Sequence, residues 1–162
     1  MDTTHLGRAY RDLTAAASAI GEAALPAARR ADVDWTLAHV ALSDEMLATA
    51  AERLLAGEPV TVDNRTAMDE TVIAGLIART SHAERVALVR RNGAAFVGLV
   101  RRIPAETAEG PVDLHVFDRA GRQVADERMP WGRIVRMRAE EHLPGHAARL
   151  AAIRDAASAT RP

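Results

Sequence analysis

Apolar residues recur at intervals of three and four positions through most of the chain, and this spacing predicts amphipathic helices. The first helix is predicted over residues 4–24, just before the first proline of the chain. The second is predicted to begin at Asp32 or Asp34, because either side chain can cap free backbone amides. It runs to about Ala56, since Gly57-Glu58-Pro59 is a typical helix stop.

The third predicted helix covers residues 66–103 and follows an extended link at residues 60–64. Its apolar stripe is broken, and Asn92-Gly93 is a weak point at which the helix could kink. Pro104 ends the helix, because proline lacks the amide proton that a continuing helix needs.

Residues 112–128 change to the alternation of apolar and polar positions that is typical of strands, with a turn at residues 118–121. The last helix is predicted over residues 130–157, with proline in its first turn. The predicted fold class is therefore all-α. It is a four-helix bundle with a short β-hairpin between helices three and four, in a single domain over residues 1–162.

Composition narrows the function classes. Apolar residues make up 48% of the chain and aromatic residues only 3%, so alanine and aliphatic side chains must form the core. The net charge is −1 and no basic stripe stands out, which argues against nucleic acid as a partner. There is no cysteine, which excludes thiolate ligands, disulfides and a cysteine nucleophile. No signal-peptide pattern or membrane-length apolar run is present, so we expect a soluble, cytoplasmic protein without a membrane partner.

Three histidines form a candidate metal site. His142 and His146 are four residues apart on the predicted last helix, so both rings point the same way and could chelate one ion. His39 lies on the apolar stripe of the second helix, and an inward imidazole without a partner costs about 1–3 kcal/mol. A metal would satisfy all three rings. Chance spacing of ordinary histidines is the alternative, and Pro144 between the pair could kink the helix.

Several short motifs in this sequence resemble the DinB-like superfamily, which includes mycothiol-dependent maleylpyruvate isomerases and bacillithiol S-transferases. The motifs are Trp35-Thr-Leu-Ala-His39, Gly57, Asp63-Asn64, Pro130-Trp131, Glu141-His142-Leu-Pro-Gly-His146, Leu150 and Ile153. Members are four-helix bundles with zinc or nickel in a cleft. The resemblance implies that His39, His142 and His146 are the ligands.

The chain departs from the isomerases in two ways. His142 stands where those isomerases have a glutamate ligand, and the 162 residues do not include the C-terminal domain that contributes to their active site. The resemblance therefore implies the metal site without implying the isomerase reaction.

Other polar and aromatic residues have two interpretations each. Arg138 and Glu141 could orient the ligands, but we favour solvated side chains. His5, His82 and His115 are expected to be ordinary surface residues. We expect the ion near the end of the bundle where helix two begins, beside a cleft formed by helices two, three and four. The candidate pocket residues, some of which could equally be core or caps, are Trp35, Ser43, Met46, Asn64 and Trp131.

The resemblance implies, as the leading functional hypothesis, an enzyme that uses one divalent ion, Zn²⁺ or Ni²⁺, and a low-molecular-weight thiol of the mycothiol type. Such an enzyme would transfer the thiol sulfur to a small electrophile, or would isomerise that electrophile with the help of the thiol. One alternative is a metal enzyme that activates water, and another is a non-catalytic metal-binding or stress-response protein. The expected partner is a small-molecule substrate, and relatives commonly form homodimers.

Overall fold

The computed structural model describes residues 1–21 and 25–159. Helix α1 spans Thr4–Ile20 and buries the predicted stripe, with Leu6, Leu13 and Ala17 almost fully covered. The predicted end of this helix at Ala24 lies outside the described residues.

Helix α2 spans Ala27–Leu55, so its predicted end is confirmed and its predicted start is wrong. Pro26 precedes the first turn, and its carbonyl accepts the first helical hydrogen bonds. Asp32 and Asp34 are therefore not caps. Each lies within the helix and pairs with an arginine of another element, at 3.2 Å from Arg149 and 2.7 Å from Arg85 respectively.

The third predicted helix is divided into α3 (Arg65–Met68), α4 (Glu70–Ala78) and α5 (His82–Arg102). Capping side chains mark both later starts: Asp69 accepts from two amides of α4, and Ser81 forms a capping box with Glu84. Helix α5 continues through residues 92–93, the weak point at which the sequence left room for a kink. Apolar residues continue at helical spacing across both breaks, so the sequence pattern did not indicate them.

Three strands form a small sheet in the order β1-β2-β3. The predicted hairpin is confirmed, with β2 at Pro111–Phe117 antiparallel to β3 at Gln123–Pro130. Strand β1 (Thr61–Asp63) was expected only as an extended link, and it pairs in parallel with β2. A short helix, α6 (Ala105–Ala108), leads into the hairpin. The chain is thus mostly helical with a three-stranded sheet, and the all-α prediction needs that correction.

The C-terminal helix is continuous through a π turn. It comprises α7 (Trp131–Met137), the π turn (Arg138–His142) and α8 (Leu143–Ala159). The amide of Leu143 bonds to the carbonyl of Arg138, five residues back. The wider turn leaves room for Pro144, which has no amide proton to donate. Pro144 therefore does not separate His142 from His146, and the predicted helix is confirmed.

Helices α1, α2, α5 and the C-terminal helix surround one hydrophobic core. Trp131 is fully buried in it and meets Phe96 edge-on, with 6.2 Å between ring centroids. No helix in the described part of the chain is long and apolar enough to span a membrane.

Candidate metal centre

Three histidines that are distant in the sequence meet inside the molecule. His39 comes from α2, and His142 and His146 come from the C-terminal helix. One ring nitrogen from each lies within 4.8 Å of the others, and Nε2 of His39 is 3.2 Å from Nε2 of His142. Two nitrogens on one tetrahedral zinc ion are about 3.3 Å apart, so the distance between His39 and His142 suits a shared ion. The group could hold a metal ion.

The carbonyl of Ala67, in α3, fixes the orientation of the His39 ring. It lies 2.8 Å from Nδ1 of His39 and can only accept, so Nδ1 carries the proton. Nε2 of neutral His39 then carries no proton, and its lone pair faces His142. Burial lowers the pKa of His39 to about 4, so the ring is neutral at pH 7.

A chain of hydrogen bonds passes through His142. Arg138 donates to Nδ1 of His142 over 2.7 Å, so neutral His142 has its proton on Nε2 and donates to His39. A ligand bond from Nε2 of His142 requires that this proton leave or move to Nδ1. Burial, and then the charge of Arg138, lowers the pKa of His142, and burial lowers the pKa of His146 to about 3. All three rings are neutral at pH 7, the form that binds metals.

Arg138 belongs to a buried network that the sequence analysis missed. Its guanidinium bonds to the carboxylate of Asp44 and to the carbonyl of Val40, and the hydroxyl of Tyr10 donates to the same carboxylate. The side chain of Arg138 is 4% exposed and that of Asp44 is fully buried. The favoured interpretation of Arg138 as solvated is therefore wrong, whereas Glu141 is exposed as expected. The signal was present, because Arg138 is a charged residue on an inward stripe, one turn before His142.

A second group of side chains contacts the ring of His39, and of its members only Trp35 was a candidate from the sequence. Trp35 stacks on the His39 ring, with 4.8 Å between centroids and 15° between planes. The guanidinium of Arg119, in the hairpin turn, lies 3.5 Å over the Trp35 ring, and Trp35 Nε1 donates to Glu70 over 3.2 Å. Trp35 thus forms a wall against one face of the His39 ring. These contacts join the hairpin and α4 to α2, and helical spacing within one segment cannot reveal them.

An open cavity of about 210 Å³ adjoins His39 and His142. Of the five candidate pocket residues, Ser43, Met46 and Asn64 are among its lining residues, whereas Trp35 and the core residue Trp131 are not. The sheet supplies the wall that was assigned to helix three, so that part of the prediction is wrong. The apolar lining comes from α2 (Met46, Leu47), the sheet (Val62, Leu114, Val116) and α7 (Ile134, Met137).

The site also lies deeper along α2 than predicted. His39 is twelve residues beyond Ala27, which corresponds to about 18 Å along the axis. The ion was expected near the start of helix two, and that expectation is wrong because α2 begins earlier than Asp32.

The remaining histidines are not part of this group. His5 is exposed, and His115 lies on the sheet, 3.5 Å from Asp126. His82 was expected at the surface but is 6% exposed, with Nε2 3.0 Å from the carbonyl of Ala17. Within residues 1–21 and 25–159, His39, His142 and His146 are the one cluster of histidine and acidic side chains close enough to hold an ion.

In comparisons with known proteins, no protein-family model, no curated protein and no solved structure matches the chain.

Proposed function

We propose that the protein is a metal-dependent enzyme with a four-helix bundle of the DinB-like type, which uses a low-molecular-weight thiol against a small electrophile. The observation that carries the proposal is the convergence of three neutral imidazoles beside an open apolar cavity. The motifs around His39 and around residues 141–146 support the assignment to that fold type.

In this proposal His39, His142 and His146 hold one divalent ion, zinc or nickel. A divalent ion with three neutral ligands keeps its full charge, and it would lower the pKa of a thiol or water that takes a remaining position. Asp44 does not offset that charge, because its carboxylate already bonds to Arg138 and Tyr10. The chain's own residues therefore orient the rings and leave the charge of the ion available.

The apolar lining favours a thiol over water as the activated group, since sulfur is less strongly hydrated than hydroxide and loses less on leaving solvent. The chain has no cysteine, so the thiol must come from outside. In this proposal the electrophile binds in the cavity, next to the thiol.

The metal site is tested first, on protein produced without an affinity tag. We expect about one divalent ion per chain, and we expect His142→Ala to lose it while its helical circular dichroism is retained. The reason is that the hydrophobic core, including the contact of Trp131 with Phe96, is built from side chains other than the three histidines. The matched control is His115→Ala, which removes a histidine on the sheet and should keep the ion. Unfolding of the His142 variant would identify a structural metal and contradict the proposal.

Turnover is tested with a panel of thiols and uncharged electrophiles. We expect consumption of the electrophile that requires both an added thiol and His142. Conversion without thiol would select the alternative in which water is activated. If the metal-loaded protein turns over no electrophile with any thiol, the enzymatic proposal fails and a non-catalytic metal-binding protein remains.

A further inference from the structure

The cavity beside the histidines has one polar end and otherwise apolar walls. His39, His142 and Arg138 form the polar end. Apart from Ser43 and Asn64, the rest of the lining consists of aliphatic or methionine side chains from α2, the sheet and α7. Ser43 supplies the one hydroxyl among the lining residues. A ligand that fills this space must therefore place most of its surface against hydrocarbon.

The two lining residues with the strongest polar groups are already engaged. The side-chain amide of Asn64 bonds at both ends to the backbone of Phe117, at 2.7 Å and 3.2 Å, which fastens β1 to β2. The guanidinium of Arg138 is held by Asp44, His142 and the carbonyl of Val40. A carboxylate in the cavity would find no free counter-charge among the described lining residues. Burying it there would cost several kcal/mol.

We infer that this cavity binds the uncharged hydrocarbon group of the substrate, with the reactive end of the substrate directed at the histidines. The size limits the group: an apolar protein cavity of about 150 Å³ accommodates benzene, so 210 Å³ accommodates a group of about six to ten carbon atoms. Met46 and Met137 allow some variation in its shape, because methionine side chains adapt readily. The substrate class is therefore a small, neutral, largely hydrocarbon electrophile. A carboxylate held against the apolar walls does not fit.

This inference rests on the proposed function for the chemistry at the histidines, but binding to the apolar walls does not require a metal. The experiment therefore uses the full chain treated with EDTA and measures the binding of 1-hexanol and of hexanoate, which have the same carbon chain, by calorimetry and NMR. We expect hexanol to bind more than tenfold more tightly than hexanoate. Equal binding of the two, or no binding of hexanol, would overturn the inference.

Two phenylalanine substitutions locate the binding. Val116→Phe places a larger side chain in the cavity from a half-buried position, and we expect it to weaken hexanol binding at least tenfold. Val124→Phe is the matched control on β3, because Val124 is 60% exposed and outside the lining. Unchanged binding in a folded Val116 variant would overturn the inference. If the Val116 variant does not fold, protein–ligand nuclear Overhauser contacts from hexanol to the Met46 and Met137 methyls of the wild-type chain replace it. Absence of those contacts would overturn the inference.

The failure of this inference can be told apart from the failure of the proposed function. Hexanol binding in a chain that takes up no metal would support the apolar binding site and contradict the proposal of a metal enzyme. Thiol-dependent turnover in a chain that binds no hexanol would retain the enzyme and contradict the substrate class.

Discussion

Replacing Asp44 with asparagine tests whether the buried network beneath the histidines stabilises the fold. Asp44 is fully buried and is the counter-ion of Arg138, whose side chain is 4% exposed. Asparagine keeps the shape and one oxygen acceptor for Tyr10 or Arg138, but it removes the negative charge. The variant thus leaves a guanidinium buried without a compensating carboxylate.

The expected loss is large for a single substitution. Breaking a buried ion pair by removing one partner costs about 3–5 kcal/mol, because the remaining charge cannot be solvated. We expect about 3 kcal/mol, the lower end, since the asparagine oxygen still accepts a hydrogen bond. In a chain of this length that corresponds to a fall in Tm of about 6–12 °C.

Urea denaturation followed by circular dichroism measures the free energy of unfolding. The matched control is Asp155→Asn, which makes the same chemical change at an exposed pair with 2.7 Å between Arg154 and Asp155. Exposed ion pairs contribute about 1 kcal/mol or less, so the control substitution should leave the free energy of unfolding nearly unchanged. A loss no larger than that of the control would refute the buried-pair interpretation. The double variant Asp44→Asn/Arg138→Met should lose less than Asp44→Asn alone, because no charge then remains buried.

The remaining predictions concern helix packing and acid stability. A Cβ at Gly93 would lie 2.6 Å from the Tyr10 ring, so Gly93→Ala should destabilise the fold by about 1–3 kcal/mol despite the better helix propensity of alanine. Gly98→Ala, in the same helix with open space around it, should be neutral or stabilising by up to about 1 kcal/mol, and equal Tm values for the two variants would contradict this packing. In EDTA-treated protein, burial lowers the pKa of His39 to about 4 and that of His146 to about 3. Below about pH 6.5 the unfolded chain therefore binds protons that the folded chain does not, and the free energy of unfolding should fall as the pH falls. His39 alone contributes about 2 kcal/mol between pH 7 and pH 5, so a flat stability profile over that range would show that the rings are not buried as neutral groups.

Capping and stop residues mark most helix ends in this chain. Some of these ends were not predicted, because the apolar pattern continues across them. Gly57 and Pro59 gave the end of α2 correctly, because they disfavour helix whatever lies nearby. Ser81 and Glu84 form a capping box that is readable in the sequence, yet the apolar pattern on both sides led to one long helix being predicted. The predicted start of α2 was wrong for a similar reason: Asp32 is a good capping residue in isolation, and Pro26 is compatible both with the end of one helix and with the start of the next.

The sequence by itself determined which histidines could share an ion, because the helical period places His142 and His146 one turn apart and puts His39 on an inward stripe. Tertiary structure decided what surrounds them. The parallel pairing of β1 with β2 built the cavity wall, and Asp44 from α2 made the burial of Arg138 tolerable. These contacts join residues that are tens of positions apart. Periodicity specifies the direction of a side chain relative to its own helix axis, whereas a partner on another element is specified only once the helices and the sheet have packed.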